Sequence, residues 1–389
     1  MLQKGERRQK GDTGSTAALY SDCDSRRNVA FCKRDFVEMA LRPMTMVTGM
    51  DLLEKGVMVH RAMPANLRPG EADHFQRLAT CSTPDIVVTE YCDAVIAEGG
   101  EPFSAGQLLP QYFSEEHRFL ERDRERFVRR GQRAEANAVA LGGEHVFICD
   151  RFSANYYHWL CDALPRLEAF SRRMAEFSLL LPPPLAALPH VRETLAAWPG
   201  VRVVPFPKAD AAVRVEHLLV PGHAARNGDH APDLMRRVRQ RLIAHFAPGV
   251  EPSGRRIYVS RALARIRRIA NESDLQAVLA RHGFEIASFE AMPLGEQIAL
   301  MAQGSALVGI HGAGLANMLF MAPGSRAAEI RQIDKVPDCF FSLADALGHE
   351  YRYLVALPAN AGVHPHAADL VSDPGELDRL LAQMEGQSS

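Results

Sequence analysis

The segment ALVGIHGAGLANMLFMAPGSRAAEI, residues 306–330, predicts a β-strand, a glycine-rich turn, a helix and a second β-strand. This succession is typical of open parallel α/β sheets, in which ligands bind at the carboxyl ends of the strands. A helix start presents unpaired backbone N–H groups to an anion. Gly312 and Gly314 leave room for a phosphate, and His311 can donate a further hydrogen bond. A tight turn with no ligand would use the same glycines, so residues outside the turn must decide between the two interpretations.

Strands and helices alternate on both sides of this segment, which predicts βαβ units and parallel sheets. A chain of 389 residues with 47% hydrophobic content is long enough for two domains, each with a core of its own. We therefore predict an α/β protein with two domains, a leader and a tail. The predicted boundaries are a disordered leader at 1–30, an N-terminal domain at 31–230, a C-terminal domain at 231–360 and a tail with a helix at 361–389.

Two arginines before the quoted segment and a carboxylate within it are suited to bind a nucleotide diphosphate. Arg261 emerges at the carboxyl end of the predicted strand RRIYVS, and Arg268 follows in an arginine-rich run. Guanidinium groups form bidentate hydrogen bonds to phosphates. Glu329 ends the strand after the glycine loop, where a carboxylate can hold ribose hydroxyls. A solvated basic face and an ordinary strand-end charge are the alternatives for each feature taken alone, but together they predict a nucleotide diphosphate site.

The sequence gives little indication of a metal ion. The DxD triplet at 22–24 falls in the predicted leader, whereas a metal site that holds a pyrophosphate should lie at a strand end. The 15 histidines show no HExxH motif and no paired Cys/His spacing. We therefore expect no metal, with arginines and backbone N–H groups neutralising the charge of a departing diphosphate.

Composition narrows the class of partner and the compartment. A formal net charge of -2 gives no overall reason to expect nucleic acid as a partner. Seven cysteines without a CxxC pair, together with the absence of a secretory signal, favour a reduced, cytoplasmic protein. No apolar run reaches the roughly 18 to 20 residues that a membrane-spanning helix needs. We therefore expect any association with the inner face of the membrane to be peripheral.

A candidate catalytic base lies in the segment FSANYYHWLCDALPRLEAF, residues 152–170. His158, Asp162 and Arg166 are four residues apart, so a regular helix would carry all three on one face. A histidine paired with an aspartate is suited to act as a general base. A structural ion pair between Asp162 and Arg166 on an amphipathic helix is the alternative. Pro165 lacks a backbone N–H and is expected to kink the helix.

Three segments in this order resemble glycosyltransferase family 61, often described as capsular polysaccharide biosynthesis proteins. They are NYYHWLCDALPRL at 155–167, YVSR with a following RxxN at 258–271, and GIHGAGLANMLFMAPGS from 309, followed by Glu329. The resemblance covers about residues 143–330. It implies a GT-B-like architecture, in which two Rossmann-like domains face each other across a cleft. The acceptor would bind on the side of the N-terminal domain and the nucleotide sugar mainly in the C-terminal domain.

The resemblance also implies a reaction and its residues. The protein would be an inverting, metal-independent glycosyltransferase without a cofactor, moving a sugar from a nucleotide sugar, commonly UDP-linked, to a hydroxyl of a glycan or polysaccharide. His158 and Asp162 would lie at the cleft as the catalytic pair, whereas Glu329 would contact the ribose. Ala316 departs from the family, which usually has a hydroxyl residue there, and leaves details of donor binding open. The predicted donor-binding residues are Arg261, Arg268, His311, Gly312, Ala313, Gly314, Asn317 and Glu329.

Two other functions are compatible with the same type of fold, because fold alone does not determine function. The first is a non-catalytic protein that binds a nucleotide sugar or a glycan. The pair His158 and Asp162 argues against it, since a binding module has no need of a base. The second is an enzyme that modifies the nucleotide sugar itself, such as an epimerase. Those enzymes carry a GxxGxxG loop near the first strand, which this sequence lacks.

Overall fold

The computed structural model describes residues 47–114, 121–332, 337–360, 362–364 and 367–386. These residues all belong to one compact unit, Pro43–Ser389. The predicted leader at 1–30 and the DxD triplet at 22–24 lie outside the described residues. The proposed domain boundaries stay predictions.

The first half of the described chain is built on a mixed sheet. In the order β6-β5-β4-β10-β7-β8-β9, the strands β10, β7, β8 and β9 run parallel, whereas β4 runs antiparallel to β10, and β1 and β5 run antiparallel to β4. The sheet is thus only partly of the parallel type expected for a Rossmann-like domain. A hairpin of β2 and β3 lies apart from it. The strands are β1 (Val47–Glu54), β2 (Met58–His60), β3 (Thr80–Ser82), β4 (Ile86–Ile96), β5 (Pro102–Ser104), β6 (Gln107–Leu108), β7 (Val139–Val146), β8 (Phe177–Leu181), β9 (Val201–Pro205) and β10 (Val213–Pro221).

The second half contains a wholly parallel sheet, and the predicted α/β class is confirmed. Its strands are β11 (Arg255–Val259), β12 (Phe284–Ala287), β13 (Gly304–Ile310), β14 (Arg326–Arg331) and β15 (Glu350–Val355). The order β12-β11-β13-β14-β15 is doubly wound, with the change of direction between β11 and β13. In such sheets ligands bind outside the carboxyl ends of the strands at this switch point. Two short strands, Leu357–Pro358 and Leu370–Val371, pair separately.

Helices cover both sheets, and their buried side chains join the two halves in one hydrophobic cluster. Helix Pro232–Phe246 contributes Val238 and Leu242 to this cluster, beside residues from each half of the chain. No helix in the described part of the chain has the length and apolar character needed to cross a bilayer. The other helices are Ala72–Gln76, Glu121–Asn137, Pro183–Ala186, Pro189–Leu195, Glu272–Arg281, Leu294–Ala302, Cys339–Leu347 and Pro374–Glu385, with 3-10 turns at Pro69–Glu71, Pro110–Tyr112, Phe289–Ala291 and Ala313–Phe320.

The helix that carries the predicted base is interrupted by a π-helical turn. It begins as Tyr156–His158, passes through the π-helical segment Trp159–Ala163 and continues as Leu164–Ser171, and we call these three segments together α1. The Leu164 amide bonds the Trp159 carbonyl, five residues back. The wider turn lies directly before Pro165, which has no N–H with which to continue an ordinary ladder. The predicted kink therefore takes the form of a π-bulge, a feature frequent at functional sites.

Candidate functional site

The switch point of the C-terminal sheet brings Arg261 against the glycine loop. Arg261 follows β11, and the loop His311–Gly314 follows β13, the strand next to it. The backbone of Gly312 is extended, with φ 170°, so its conformation does not require glycine. A Cβ at Gly312 would lie 2.9 Å from Nη1 of Arg261 and 3.2 Å from its Cζ. Because the guanidinium packs directly on the loop backbone, a side chain at this position would displace it.

The loop then continues into the 3-10 helix Ala313–Phe320, not an α-helix. A Cβ at Gly314 would lie 2.9 Å from Cγ1 of Val259, the last residue of β11, so the helix start lies close over the strand end. The first N–H groups of a helix have no partner within it. The N–H groups of Ala313 and Gly314 lie at the start of this helix, at the switch point and beside Arg261. Together with the guanidinium they make the site electropositive, as anion binding requires.

His311 is held by a buried carboxylate. Its Nδ1 lies 2.5 Å from Oε1 of Glu329, whose Oε2 accepts a hydrogen bond of 2.6 Å from the hydroxyl of Tyr351. Burial lowers the pKa of His311, against the influence of Glu329. Burial alone would raise the pKa of Glu329, but Arg331, at 3.7 Å, with His311 and Tyr351, holds it below its ordinary value. This geometry describes a neutral imidazole fixed by a charged glutamate.

The position of Glu329 disagrees with its predicted contact to a ribose. It lies inside β14, not at the strand end, and is 1% exposed. Both carboxylate oxygens already accept hydrogen bonds from protein groups. Glu329 therefore orients His311 from below the loop, and a ligand has no open route to it.

We expect Glu329→Gln to destabilise the protein by about 1.5–3 kcal/mol, because hydrogen bonds to a buried charged group are lost. Arg331 keeps its partner Asp338 at 2.8 Å and is not left unpaired. Denaturant unfolding measures the change. Glu290→Gln, in an exposed position near Arg261, is the control and should alter stability by less than about 0.5 kcal/mol. An unchanged midpoint for Glu329→Gln would contradict the assignment.

The second predicted arginine does not reach the glycine loop. Arg268 donates from Nε and Nη2 to Oδ2 of Asp369, at 3.2 and 2.9 Å, and its side chain is 50% exposed. Arg267 instead lies near enough to His311 to lower the pKa of the imidazole. Arg267 has a left-handed backbone with φ 56°, and its carbonyl accepts a 3.1 Å hydrogen bond from Nε of Arg261. The structure thus places Arg267 beside Arg261 and pairs Arg268 with Asp369, and no local signal in the sequence marks a left-handed arginine.

Asn317 also has a different role from the one predicted. It is fully buried, and its Oδ1 accepts a 2.9 Å hydrogen bond from the hydroxyl of Tyr156. Its Nδ2 donates to the carbonyl of Gly314 at 3.1 Å. Asn317 therefore joins the helix after the glycine loop to the start of α1. Since Tyr156 lies two residues before His158, this bond also sets the position of His158 relative to the loop.

The pair His158 and Asp162 forms as predicted from its spacing. Nδ1 of His158 lies 2.6 Å from Oδ2 of Asp162, and the two side chains are 17% and 11% exposed. The ring of Phe152 stacks on the imidazole with 4.9 Å between centroids. Burial raises the pKa of Asp162, while His158 acts in the opposite direction. The carboxylate and the stacked ring together fix the orientation of the imidazole.

Arg166 does not join this pair, although regular helical spacing predicted one face for all three residues. It is fully buried and donates from Nε and Nη2 to the carbonyl of Pro221, at 3.0 and 2.6 Å. The π-helical turn before Pro165 adds a residue to one turn and rotates Arg166 away from Asp162. The alternative interpretation, a direct ion pair between Asp162 and Arg166, is not formed.

Sequence reasoning missed two polar residues that lie near the pair. Asp150 follows β7 and His223 follows β10, and Oδ2 of Asp150 lies 3.9 Å from Nδ1 of His223. His223 Nε2 lies 2.9 Å from the carbonyl of Gln111, so this nitrogen carries the proton. Burial, followed by Arg166, lowers the pKa of His223 to about 4. Polar residues directly after buried strands were the signal that could have found them.

Aromatic contacts connect the two halves of the site. The ring of Phe340 lies 5.2 Å from that of His311 and 5.4 Å from that of Tyr157, the residue before His158. The hydroxyl of Tyr157 lies 3.0 Å from Nε2 of His230, whose Nδ1 lies 3.0 Å from the hydroxyl of Ser342. The ring of Tyr157 in turn lies 5.0 Å from that of His158, so two aromatic side chains, Phe340 and Tyr157, link the glycine loop to the His158 pair.

Comparison with known proteins identifies the family of this segment. Residues 156–328 match the family model described as Glycosyltransferase 61. Over these residues the chain is similar to glycosyltransferase 61. The predicted resemblance is thereby confirmed for this segment, and the match begins at Tyr156, whose hydroxyl is bonded to Asn317 in the glycine-loop helix. Asp150, Glu329 and Tyr351 lie outside the glycosyltransferase 61 match, although they complete the hydrogen-bond networks of the site.

A curated relative belongs to the transferases as well. The chain is 30% identical over 115 residues to the EGF domain-specific O-linked N-acetylglucosamine transferase of Drosophila melanogaster. The similarity covers 28% of this chain and 22% of that relative. The chain thus corresponds to less than a quarter of the relative's length.

Proposed function

We propose that the protein is an inverting glycosyltransferase that moves a sugar from a nucleotide diphosphate donor to a hydroxyl of a glycan. The observation that carries the proposal is the His158–Asp162 pair, which Tyr157 and Phe340 link to the glycine loop within a segment that matches glycosyltransferase 61. A binding protein would need the loop but not an oriented imidazole and carboxylate. The contacts of this pair therefore favour the enzyme over the non-catalytic alternative.

The donor diphosphate is proposed to bind at the switch point. Burial lowers the pKa of Arg261, with Glu290 acting in the opposite direction, so the guanidinium is partly stripped of water without losing its charge. An arginine in this state gains strongly from a bound anion, because a charge-assisted bond replaces lost hydration. Arg267 and the first N–H groups of Ala313–Phe320 supply further positive potential. These groups would neutralise the diphosphate without a metal ion.

The proposed reaction is a single displacement. Nε2 of His158 accepts the proton of the acceptor hydroxyl while the oxygen attacks the anomeric carbon of the sugar. The bond from that carbon to the diphosphate oxygen breaks, and its electron pair leaves with the nucleotide. Asp162 stabilises the imidazolium through Nδ1. Attack opposite to the leaving group inverts the anomeric configuration.

We further propose a GT-B-like arrangement with a UDP-linked donor. The doubly wound order of the C-terminal sheet supports the donor side, and the carboxyl ends of β7 and β10 next to α1 support an acceptor side in the N-terminal half. Polysaccharide is the proposed acceptor class. The name of the Drosophila relative makes a hydroxyl of a protein domain the second candidate. The cytoplasmic location and a peripheral contact with the membrane stay predictions.

A binding panel tests the donor part of the proposal. Thermal shifts with UDP, GDP, CMP and TDP sugars, each with and without EDTA, should show stabilisation by a UDP sugar that EDTA does not weaken. At a ligand concentration about 100 times Kd, the expected stabilisation is about 2.7 kcal/mol. If EDTA removed the binding, the metal-free donor site would be wrong. If no nucleotide bound, the glycosyltransferase proposal itself would fail.

A further inference from the structure

Three metal-ligating side chains meet on the N-terminal sheet, away from the site described above. Glu90 and Cys92 lie on β4, and His217 lies on β10. The antiparallel register places His217 directly opposite Cys92, with Glu90 opposite Leu219. Because alternate residues of a strand point to the same face, Glu90 and Cys92 both project beside the His217 ring. The arrangement joins two neighbouring strands.

Two of the three separations between the ligand atoms are close to those of a tetrahedral site. Nδ1 of His217 lies 3.5 Å from Sγ of Cys92 and 3.2 Å from Oε1 of Glu90, and all three atoms lie within 4.8 Å of one another. Bond lengths to zinc of about 2.3 Å for sulfur and about 2.0–2.2 Å for nitrogen and oxygen, at tetrahedral angles, predict about 3.6 Å and about 3.4 Å for these two separations. A zinc ion could therefore bind with little movement of the side chains.

The chemistry of the three residues also selects the ion. A thiolate and an imidazole prefer zinc over the hard cations calcium and magnesium, and a carboxylate oxygen is also a ligand that zinc accepts. His217 and Glu90 keep 42% and 31% of their side-chain surface exposed, so water has access to a fourth position. The hydroxyl of Thr48 on β1, 3.6 Å from Sγ, orients the thiol.

We propose that Glu90, Cys92 and His217 form a zinc site that ties β4 to β10. The site is distinct from the proposed reaction centre, since His217 lies four residues, or about 13 Å, before the end of β10 near which His223 and Asp150 meet. We expect a bound zinc ion to stabilise the sheet and to take no part in glycosyl transfer.

The test is zinc binding by the untagged full-length protein, measured by competition with a chromophoric chelator. We expect one equivalent to bind, and Cys92→Ser and His217→Ala each to weaken that binding more than tenfold, because even outer-shell partners change metal affinity by about 10–100-fold. Co²⁺ bound in place of Zn²⁺ should show thiolate charge-transfer absorption that Cys92→Ser removes. Glu90→Gln, a conservative change of a partly exposed residue, gives a further variant should either of the others fail to fold.

Matched controls separate this site from other cysteines and histidines. Cys81→Ser and His60→Ala change a partly exposed thiol and an exposed imidazole on the β2–β3 hairpin, and both should bind zinc as the wild type does. Zinc should raise Tm, and EDTA should reverse the rise without lowering the initial rate of transfer. The proposal is overturned if the wild type binds no zinc, or if the Cys92, His217 and Glu90 variants bind it with wild-type affinity.

Discussion

Replacing His158 with alanine is expected to lower kcat for glycosyl transfer about 10²–10⁴-fold, the usual contribution of a general base. The physical reason is that the acceptor hydroxyl would lose the group that takes its proton at the moment of attack. The affinity for the donor should change little. The groups proposed to bind its diphosphate follow β11 and β13, whereas His158 lies on α1. Steady-state kinetics with saturating donor and acceptor, combined with donor titration, measure both quantities.

Two companion variants sharpen this result. Asp162→Asn keeps the shape of the pair but removes the charge that stabilises the imidazolium, so it should also lower kcat. His245→Ala removes an exposed imidazole near the end of helix Pro232–Phe246, whose ring contacts only Phe246 among described aromatic pairs, and should leave kcat unchanged. A His158→Ala enzyme with kcat within about twofold of wild type would exclude His158 as the base. A fall in donor affinity with normal kcat would assign it to binding.

Replacing Arg261 with alanine is the second large effect, with an expected loss of about 10²–10³ in kcat, or about 2.7–4 kcal/mol of transition-state stabilisation. Arg261 packs on Gly312 at the switch point, where the proposed reaction develops negative charge on the departing diphosphate. Because the guanidinium is partly buried, the charge acts through a medium less polarisable than water and has a larger effect than a surface charge. Rates for the native donor at saturation measure the loss.

Arg268→Ala is the control that distinguishes the observed geometry from the predicted one. Arg268 is half exposed and bonded to Asp369, so its loss removes a surface ion pair worth about 0–1 kcal/mol of stability. Transfer should stay near the wild-type rate. Equal losses for Arg261→Ala and Arg268→Ala would support the original prediction that both arginines hold the diphosphate, and would contradict the contacts seen here.

The glycine loop shows where prediction from sequence succeeded and where it stopped. The alternation around residues 306–330 predicted a parallel sheet, and placement of Arg261 at a strand end predicted its meeting with the loop. The sequence could not show that Glu329 lies beneath the loop, bonded to His311 and Tyr351. Tyr351 is on β15, the strand next to β14, so the hydrogen-bond partners of the Glu329 carboxylate depend on the order of the strands in the sheet.

The His158 helix makes the same distinction. Spacing by four residues correctly predicted the contact between His158 and Asp162, since one helical turn brings such side chains together. The same spacing wrongly predicted that Arg166 would lie on the helix face of His158 and Asp162. Pro165 predicted an irregularity, but only the folded chain determined that a π-helical turn would absorb it and rotate Arg166 toward the carbonyl of Pro221.

By itself, the sequence determined the α/β class and the resemblance of its central segment to a family. It also predicted three parts of the candidate site: the glycine loop, Arg261 and the His158–Asp162 pair. These depend on periodicity and on neighbours within one turn or one strand, which short-range sterics and hydrogen bonding control. Tertiary structure alone determined that Arg261 bonds the carbonyl of Arg267 while Arg268 pairs with Asp369, that Asn317 bonds Tyr156, and that Cys92 meets His217. Those outcomes depend on contacts between residues far apart in the chain, where burial and competing partners decide which bond each side chain forms.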